Sequence, residues 1–243
     1  MSNLEIAPHT GRPGIGSLAP RSRAEILDRY RKLRAISVAH HSGAMNCLTH
    51  DALIEQARRL GIVKGRMLLL NTEDELALVN DLLVYARKHG RKRPVDRYAS
   101  SQRLASDSDE ALVLYALLAA RFAVVRVKAR HPEAGLIMTD LVREEEFWLV
   151  DEGMEASAPV GYTMATRVFC LEDFHMTAGV MIPLSRQLLA SALAHRPVLE
   201  RMGMREAVDD RRFAEALYRE AMRSGATERV RYQELPGLAG AGG

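Results

Sequence analysis

The sequence reads FAVVRVKAR at residues 122–130 and FHMTAGVMI at residues 174–182. In both stretches apolar residues alternate with polar or small ones, so every second side chain of an extended chain points the same way. This alternation is typical of a strand that buries one face in a core and turns the other to water. The two stretches open and close the segment 122–184, the part of the sequence with the pattern of β structure.

We expect five strands within this segment. Arg143 and Glu144 form a connection of hairpin length, and no connection has the pattern of the crossover helix that parallel neighbours require. The segment 152–161 is expected to be a loop. The predicted strands are residues 122–130, 135–142, 145–151, 162–171 and 174–182. The sequence therefore predicts a five-stranded antiparallel, barrel-like module, which removes its own exposed edges.

Helical signals flank the module on both sides. Residues 22–25 read SRAE and residues 72–75 read TEDE, and each is a capping box that begins a helix. Apolar residues at three- and four-residue steps follow them. The fold class predicted is α+β. The predicted organisation is a disordered arm at 1–21, a helical domain at 22–121, the small β module at 122–184, C-terminal helices at 185–232 and a disordered tail at 233–243.

Three finer expectations concern the helices. The first helix should weaken or bend at Ser42 and Gly43, because glycine is a poor helix former. The apolar run at residues 67–70 is interpreted as a helical turn, with a brief strand as the alternative. The last helix is expected to run over residues 205–223.

Composition limits the class of protein and its location. The chain has 243 residues, of which 47% are hydrophobic and 27% charged, as is ordinary for a soluble globular protein. Its two cysteines, Cys47 and Cys170, make no disulfide framework, which indicates a reducing compartment. No apolar run reaches the roughly 18 residues of a membrane helix, and the start lacks the pattern of a secretory signal. We predict a cytoplasmic protein with no membrane association and no cofactor.

Charge is distributed unevenly along the chain. Residues 1–105 carry 18 Lys and Arg against 10 Asp and Glu, whereas residues 106–184 carry 6 against 13. Such a division indicates one of two arrangements: the two parts complement each other within the fold, or one of them faces an external partner.

A basic cluster is the strongest pointer to a partner. It lies at a predicted helix end and in the loop that follows, where long cationic side chains can reach phosphate groups. Its residues are Arg87, Lys88, Arg91, Lys92, Arg93 and Arg97. The alternatives are a docking surface for the acidic β module and a contribution to solubility alone.

A second candidate site consists of His40, Cys47 and His50. On a helix the first two share a face and the third follows one turn later, so together they could hold zinc with an open fourth position. Their separation matches no established ligand spacing. The competing interpretation is a helix end whose imidazoles bond to water or backbone, with Cys47 a small buried hydrophobe.

Two longer stretches resemble a known group of proteins. LNTEDELALVNDLLVYARKHGRKRPVDRY and GYTMATRVFCLEDFHMTAGV are similar to segments of an uncharacterised bacterial protein family that joins a helical N-terminal half to a small β module. The resemblance covers about residues 23–185. It implies the two-part architecture and carries no activity.

These observations lead to one functional prediction and one alternative. We predict a non-catalytic binding or regulatory protein that acts through protein or nucleic-acid contacts, with the basic cluster at residues 87–97 as the contact surface. The alternative is a small, hydrolase-like metal-dependent enzyme built on His40, Cys47 and His50.

Overall fold

The computed structural model describes residues 21–70, 72–85 and 92–227. Within them the chain forms helices, a short hairpin and one larger sheet, so the predicted α+β class is confirmed. The predicted tail at 233–243 lies outside the described residues, as does the predicted arm except for Arg21.

Helix α1 (Arg23–Met45) begins with the predicted capping box, in which Ser22 and Glu25 bond to each other's backbone. The helix does not end at Ser42 and Gly43, where we expect it to weaken or bend, but continues to Met45. A side-chain carbon on Gly43 would overlap the ring of Tyr98. The glycine therefore allows close packing of another helix against α1.

Helix α2 (His50–Leu60) ends at Gly61, which adopts the left-handed conformation at φ 86° that glycine tolerates. A hairpin follows, with β1 (Val63–Lys64) and β2 (Met67–Leu68) paired antiparallel. The helical turn expected at residues 67–70 is therefore wrong. Gly65, at φ 66°, supplies the turn between the two strands.

Three more helices precede the β module: α3 (Glu73–Tyr85), α4 (Pro94–Ser101) and α5 (Asp109–Leu118). The second predicted capping box does not form as expected. The amide of Glu75 bonds to the backbone oxygen of Thr72, and the buried Thr72 hydroxyl has no hydrogen-bond partner among the described residues. Helix α4 has Pro94 in its first turn, where the missing amide hydrogen removes no helical bond.

The β module contains five strands close to their predicted positions. They are β3 (Arg121–Arg130), β4 (Leu136–Asp140), β5 (Glu145–Leu149), β6 (Thr163–Leu171) and β7 (Phe174–Pro183). The loop expected at 152–161 contains helix α6 (Glu152–Ser157), which the side chain of Asp151 caps.

The strand order is β3-β4-β5-β7-β6, and β3 also pairs with β6, so the sheet closes on itself. The fully antiparallel arrangement predicted from sequence is wrong at one pairing. Strand β5 lies parallel to β7 through the pair Leu149 and His175. The chain between these strands contains α6 and β6, which is long enough for the connection that parallel strands need.

The chain ends in four described helices: α7 (Arg186–Ala194), α8 (Pro197–Glu200), α9 (Met204–Asp209) and α10 (Arg211–Arg223). The single helix expected over 205–223 is therefore wrong. Asp210 has extended backbone between α9 and α10, and its side chain accepts from the amide of Arg212. An aspartate at this position favours the start of a new helix.

The helical regions and the β module share buried apolar surface. One core cluster joins Leu60 of α2 and Leu82 of α3 to Phe122 of β3 and Phe213 of α10. A second joins α1, α3 and α5 to the strand residues Phe169 and Phe174, and a third fills the interior of the sheet. This packing brings α2, α3, α4, α10 and the start of β3 together at one junction, where the two cavities described next lie.

Candidate anion-binding surface

Half of the predicted basic cluster can be placed. Arg87, Lys88 and Arg91 lie outside the described residues. Arg93 turns toward its own helix: Nε and Nη2 donate to Asp96 at 2.9 and 2.6 Å, and Nη2 also donates to the carbonyl of Leu118. Lys92 is exposed, and Arg97 donates to the carbonyl of Cys47 at 3.0 Å.

Lys92 and Arg97 lie beside two cations from distant parts of the sequence. Arg59 of α2 and Arg211 at the start of α10 join them around a concavity of about 460 Å³, which we call the basic groove. In the described part of the chain no carboxylate lines it. Arg59 bonds to Glu55 one turn earlier in α2, whereas Lys92 and Arg211 have no ion pair with any described residue.

The remaining lining of the basic groove is small, apolar or neutral. Thr49 lies there, and its hydroxyl accepts from the amide of Ala52 and so caps α2. The other lining residues are Leu48, Ala52, Gln56, Leu83 and Pro94. Aromatic rings, on which nucleic-acid bases stack, are missing from this described lining. The groove is therefore suited to phosphate groups rather than to bases.

A second concavity of about 590 Å³ adjoins the groove at Arg211, and we call it the arginine cavity. Its charged lining comes from five arginines and two aspartates: Arg93, Arg121, Arg167, Arg211, Arg212, Asp209 and Asp210. Its other lining residues are Leu82, Tyr85, Ala120, Phe122, Val208 and Ala214.

Arg167 of β6 is the most buried of these arginines, with 9% of its surface exposed. Its Nε and Nη2 donate to Asp81 of α3 at 2.8 and 3.0 Å, and the hydroxyl of Tyr218 donates to the same carboxylate at 2.8 Å. The guanidinium carbon lies 4.3 Å from the ring centre of Tyr85. Burial alone would lower the pKa of Arg167, but the facing Asp81 carboxylate outweighs it and raises the pKa.

A histidine lies behind this ion pair. The Tyr85 hydroxyl donates to Nε2 of His41 at 2.7 Å, and Nδ1 of His41 donates to the carbonyl of Ser37 at 2.9 Å. The imidazole in this arrangement is neutral. Burial lowers the pKa of His41, because charging the imidazole would place a cation in a site removed from water.

Arg121 is held by a separate buried carboxylate. Its Nη1 donates to Asp140, whose side chain is fully buried, and Arg143 donates to the same oxygen at 3.0 Å. Burial alone would raise the pKa of Asp140, but hydrogen bonds from the amide and guanidinium of Arg143 lower it. This cluster fixes the start of β3 beside the arginine cavity.

The three candidate metal ligands have separate surroundings and do not form a common site. His40 bonds through one ring nitrogen to the Tyr98 hydroxyl and through the other to the carbonyl of Glu110. Cys47 donates to the carbonyl of Gly43, and His50 is exposed at the start of α2. Among the described residues, no group of three or more His, Cys, Asp or Glu side chains has the geometry to hold a metal ion.

Sequence reasoning missed the two distant members of the basic groove. Arg59 lies on a helix with ordinary surface charges, and its contribution depends on how α2 packs against α3 and α10. Arg211 lies inside the helix expected over residues 205–223, and its local signal is the charged run of Asp210, Arg211 and Arg212, which forms the turn between α9 and α10 in the structure. That signal does not show which surface the turn faces.

Comparison with known proteins found a family whose model matches this chain. The model of a family of unknown function (DUF7986) matches residues 24–221, which is most of the chain. The predicted relationship to an uncharacterised family with no known activity is confirmed, and the match extends past residue 185 through most of α10. No curated protein and no solved structure matches the chain. Across the described residues, no helix combines the length and apolar character needed to cross a membrane.

Proposed function

The protein belongs to the DUF7986 family, whose function is unknown, and we propose that it is a non-catalytic, cytoplasmic nucleic-acid-binding protein with a regulatory role. The basic groove is the observation that carries this proposal. Four cations from α2, the segment before α4, α4 itself and α10 line one concavity, and the described lining contains no carboxylate to oppose phosphate. Arrangement of cations in a concave surface concentrates positive potential where a phosphate backbone can enter.

Binding in the groove would be electrostatic and largely independent of base sequence. Each cation that neutralises a phosphate releases condensed counterions, so affinity falls with rising salt. The neutral lining between the cations supplies neither stacking rings nor a row of side chains suited to reading base edges. It also offers no imidazole or carboxylate as a general base among the described lining residues, which favours binding over hydrolysis.

The acidic β module supports an oriented complex. Residues 106–184 have an excess of Asp and Glu, so the surface of this segment repels phosphate. Exposed Glu144 and Glu145 lie in and beside the β4–β5 turn and are not among the residues that line the groove. A nucleic acid would therefore approach from the side of α2, α4 and α10.

The test is fluorescence anisotropy with labelled 20-nucleotide single-stranded and duplex DNA between 50 and 300 mM NaCl. The variant Arg59→Gln/Lys92→Gln/Arg97→Gln removes three groove cations. We expect its affinity at 100 mM NaCl to fall at least tenfold. The slope of log affinity against log salt should fall by roughly 2–3, because each lost phosphate contact removes about 0.7–0.9 from it.

A matched control changes the same residue types elsewhere. Lys64, Arg186 and Arg201 are exposed and do not line the groove, so Lys64→Gln/Arg186→Gln/Arg201→Gln gives the same net charge. The proposal requires this control to bind much more tightly than the groove variant while both keep parental circular dichroism spectra. Equal losses in the two variants, or no binding by the parent at 50 mM NaCl, would overturn it.

A further inference from the structure

Three arginines of the arginine cavity share one hydrogen-bonding arrangement. Arg93, Arg167 and Arg212 each direct Nε and Nη2 to the two oxygens of a single aspartate. Such side-on pairing fixes the plane of a guanidinium, because two parallel bonds leave it little rotation. The partners are Asp96, Asp81 and Asp210.

The pairing leaves the third nitrogen of each guanidinium uncommitted. Nη1 of Arg93, Arg167 and Arg212 has no hydrogen-bond partner among the described residues. The side chain of Arg167 is not fully sealed from solvent, since 11% of it is exposed. Arg167 is otherwise buried, and it is one of the residues that line the arginine cavity.

The charge and shape of the arginine cavity together indicate the class of ligand that it would bind. The aspartate partners neutralise much of the positive charge, so this cavity offers oriented donors more than a strong long-range field. Arg211, which is exposed and has no ion pair with a described residue, adds a further cation to the lining. Tyr85, Phe122 and Leu82 supply an apolar wall, and a volume of about 590 Å³ is in the range of small-molecule sites.

We propose that the arginine cavity binds a phosphate monoester, with the phosphate oxygens on the free Nη1 atoms and on Arg211 and the organic part against the apolar wall. Donors that come from the residue before α4, from β6 and from α10 suit the several oxygens of a tetrahedral anion better than the two oxygens of a carboxylate. The same chemistry has two sources, a free mononucleotide or the terminal phosphate of a strand lying in the basic groove. The site goes beyond the proposed function and does not require it.

Isothermal titration calorimetry with adenosine 5′-monophosphate and with adenosine tests the site, at constant ionic strength. We expect saturable binding of the monophosphate and at least tenfold weaker binding of adenosine. Arg212→Gln, which retains the Asp210 side chain at the helix start, should weaken monophosphate binding about tenfold or more. Arg219→Gln is the matched control, since it lies on the same helix, is exposed and does not line the cavity.

Further measurements identify the source of the bound phosphate and control for misfolding of the variants. A 12-nucleotide strand with a 5′-phosphate that binds more tightly than its 5′-hydroxyl form identifies the strand end as the source. Equal affinities of the two strands, with monophosphate binding retained, identify the free mononucleotide. Arg167→Lys should weaken monophosphate binding wherever it folds, and if it unfolds, Arg212→Gln decides. Equal binding of adenosine and its monophosphate, equal losses in Arg212→Gln and Arg219→Gln, or no monophosphate binding at 10 mM would overturn the proposal.

Discussion

The arginine cavity and the basic groove lie side by side and share Arg211, yet they use cations differently. In the cavity Arg93, Arg167 and Arg212 are each clamped by an aspartate. In the groove Lys92 and Arg211 form no ion pair with a described residue, and carboxylates are missing from the described lining. Clamped arginines hold the fold and orient donors, whereas unpaired ones leave a field that reaches into solvent.

This difference teaches that a count of basic residues does not locate a binding surface. Arg93 belongs to the predicted basic cluster, but its bonds to Asp96 and the carbonyl of Leu118 tie α4 to the end of α5. Its neighbour Lys92 is exposed and faces the groove. Adjacent residues of like charge therefore have separate roles, and the contrast can be tested by disturbing the clamps and the groove separately.

Breaking the most buried clamp should have the largest effect. Asp81→Asn leaves Arg167 charged, buried and without its counter-ion, so we expect the free energy of unfolding to fall by about 3–5 kcal/mol. Urea denaturation measures this loss. Glu146→Gln breaks the solvent-exposed pair with Lys128 on the same module and should cost less than about 1 kcal/mol. Similar losses in the two variants would mean that the clamp does not hold the junction.

Acidification should lower the free energy of unfolding through protonation of His41, which lies behind the ion pair of Arg167 and Asp81. Its pKa in the folded state is lowered below the value of the unfolded chain, so the unfolded state binds more protons as pH falls below about 6.5. Its contribution to stability is complete above that pH and is lost toward lower pH, at no more than about 1.4 kcal/mol per pH unit. Urea denaturation at pH 7.5 and 5.5 should show a smaller acid loss for His41→Gln than for the parent.

The His41→Gln variant must be compared with the parent protein, because another histidine also contributes to the loss of stability in acid. Burial lowers the pKa of His175 to about 4, so this residue also destabilises the fold on acidification. Only the difference in acid-induced stability loss between the parent and His41→Gln reports the protonation of His41. An identical acid loss in both proteins would show that protonation of His41 is not linked to folding.

The smallest effect is expected in the groove, at the helix cap. Thr49→Ala removes the side-chain bond to the amide of Ala52 and should lower the free energy of unfolding by about 1 kcal/mol. It changes no charge, so DNA affinity and its salt slope should stay at parental values under conditions where the protein is folded. Thr49→Ser keeps the hydroxyl and serves as the stability control. A large change in the salt slope of Thr49→Ala would show that the groove depends on more than its cations.

Local signals in the sequence were enough to predict most of the secondary-structure elements. Alternation places the five strands near their observed positions, because a strand with one buried face must repeat with period two. The SRAE box correctly marks the start of α1, where both capping bonds form. The TEDE box correctly marks the start of α3, although the Thr72 hydroxyl makes no capping bond within the described part of the chain. The helical turn expected at 67–70 is wrong because a short apolar run fits several local structures, and the packing around it decides.

Pairings between distant segments had no such signal. The parallel contact of β5 with β7 follows from β6 pairing with β3, which closes the sheet and leaves β7 beside β5. In the same way Arg59 and Arg211, 152 positions apart by their numbers, meet only because α2 and α10 pack on α3. Each of these contacts depends on the three-dimensional path of the chain rather than on a repeating pattern.

By itself, the sequence determined the fold class, the strand positions, the division of charge and a basic cluster at residues 87–97. Only the tertiary structure decided which of the described cations face one another and which are bound to carboxylates. The physical reason is range. Periodicity and caps are set by neighbours within a few residues, whereas the field at a surface is summed over charges that folding brings together from the whole chain.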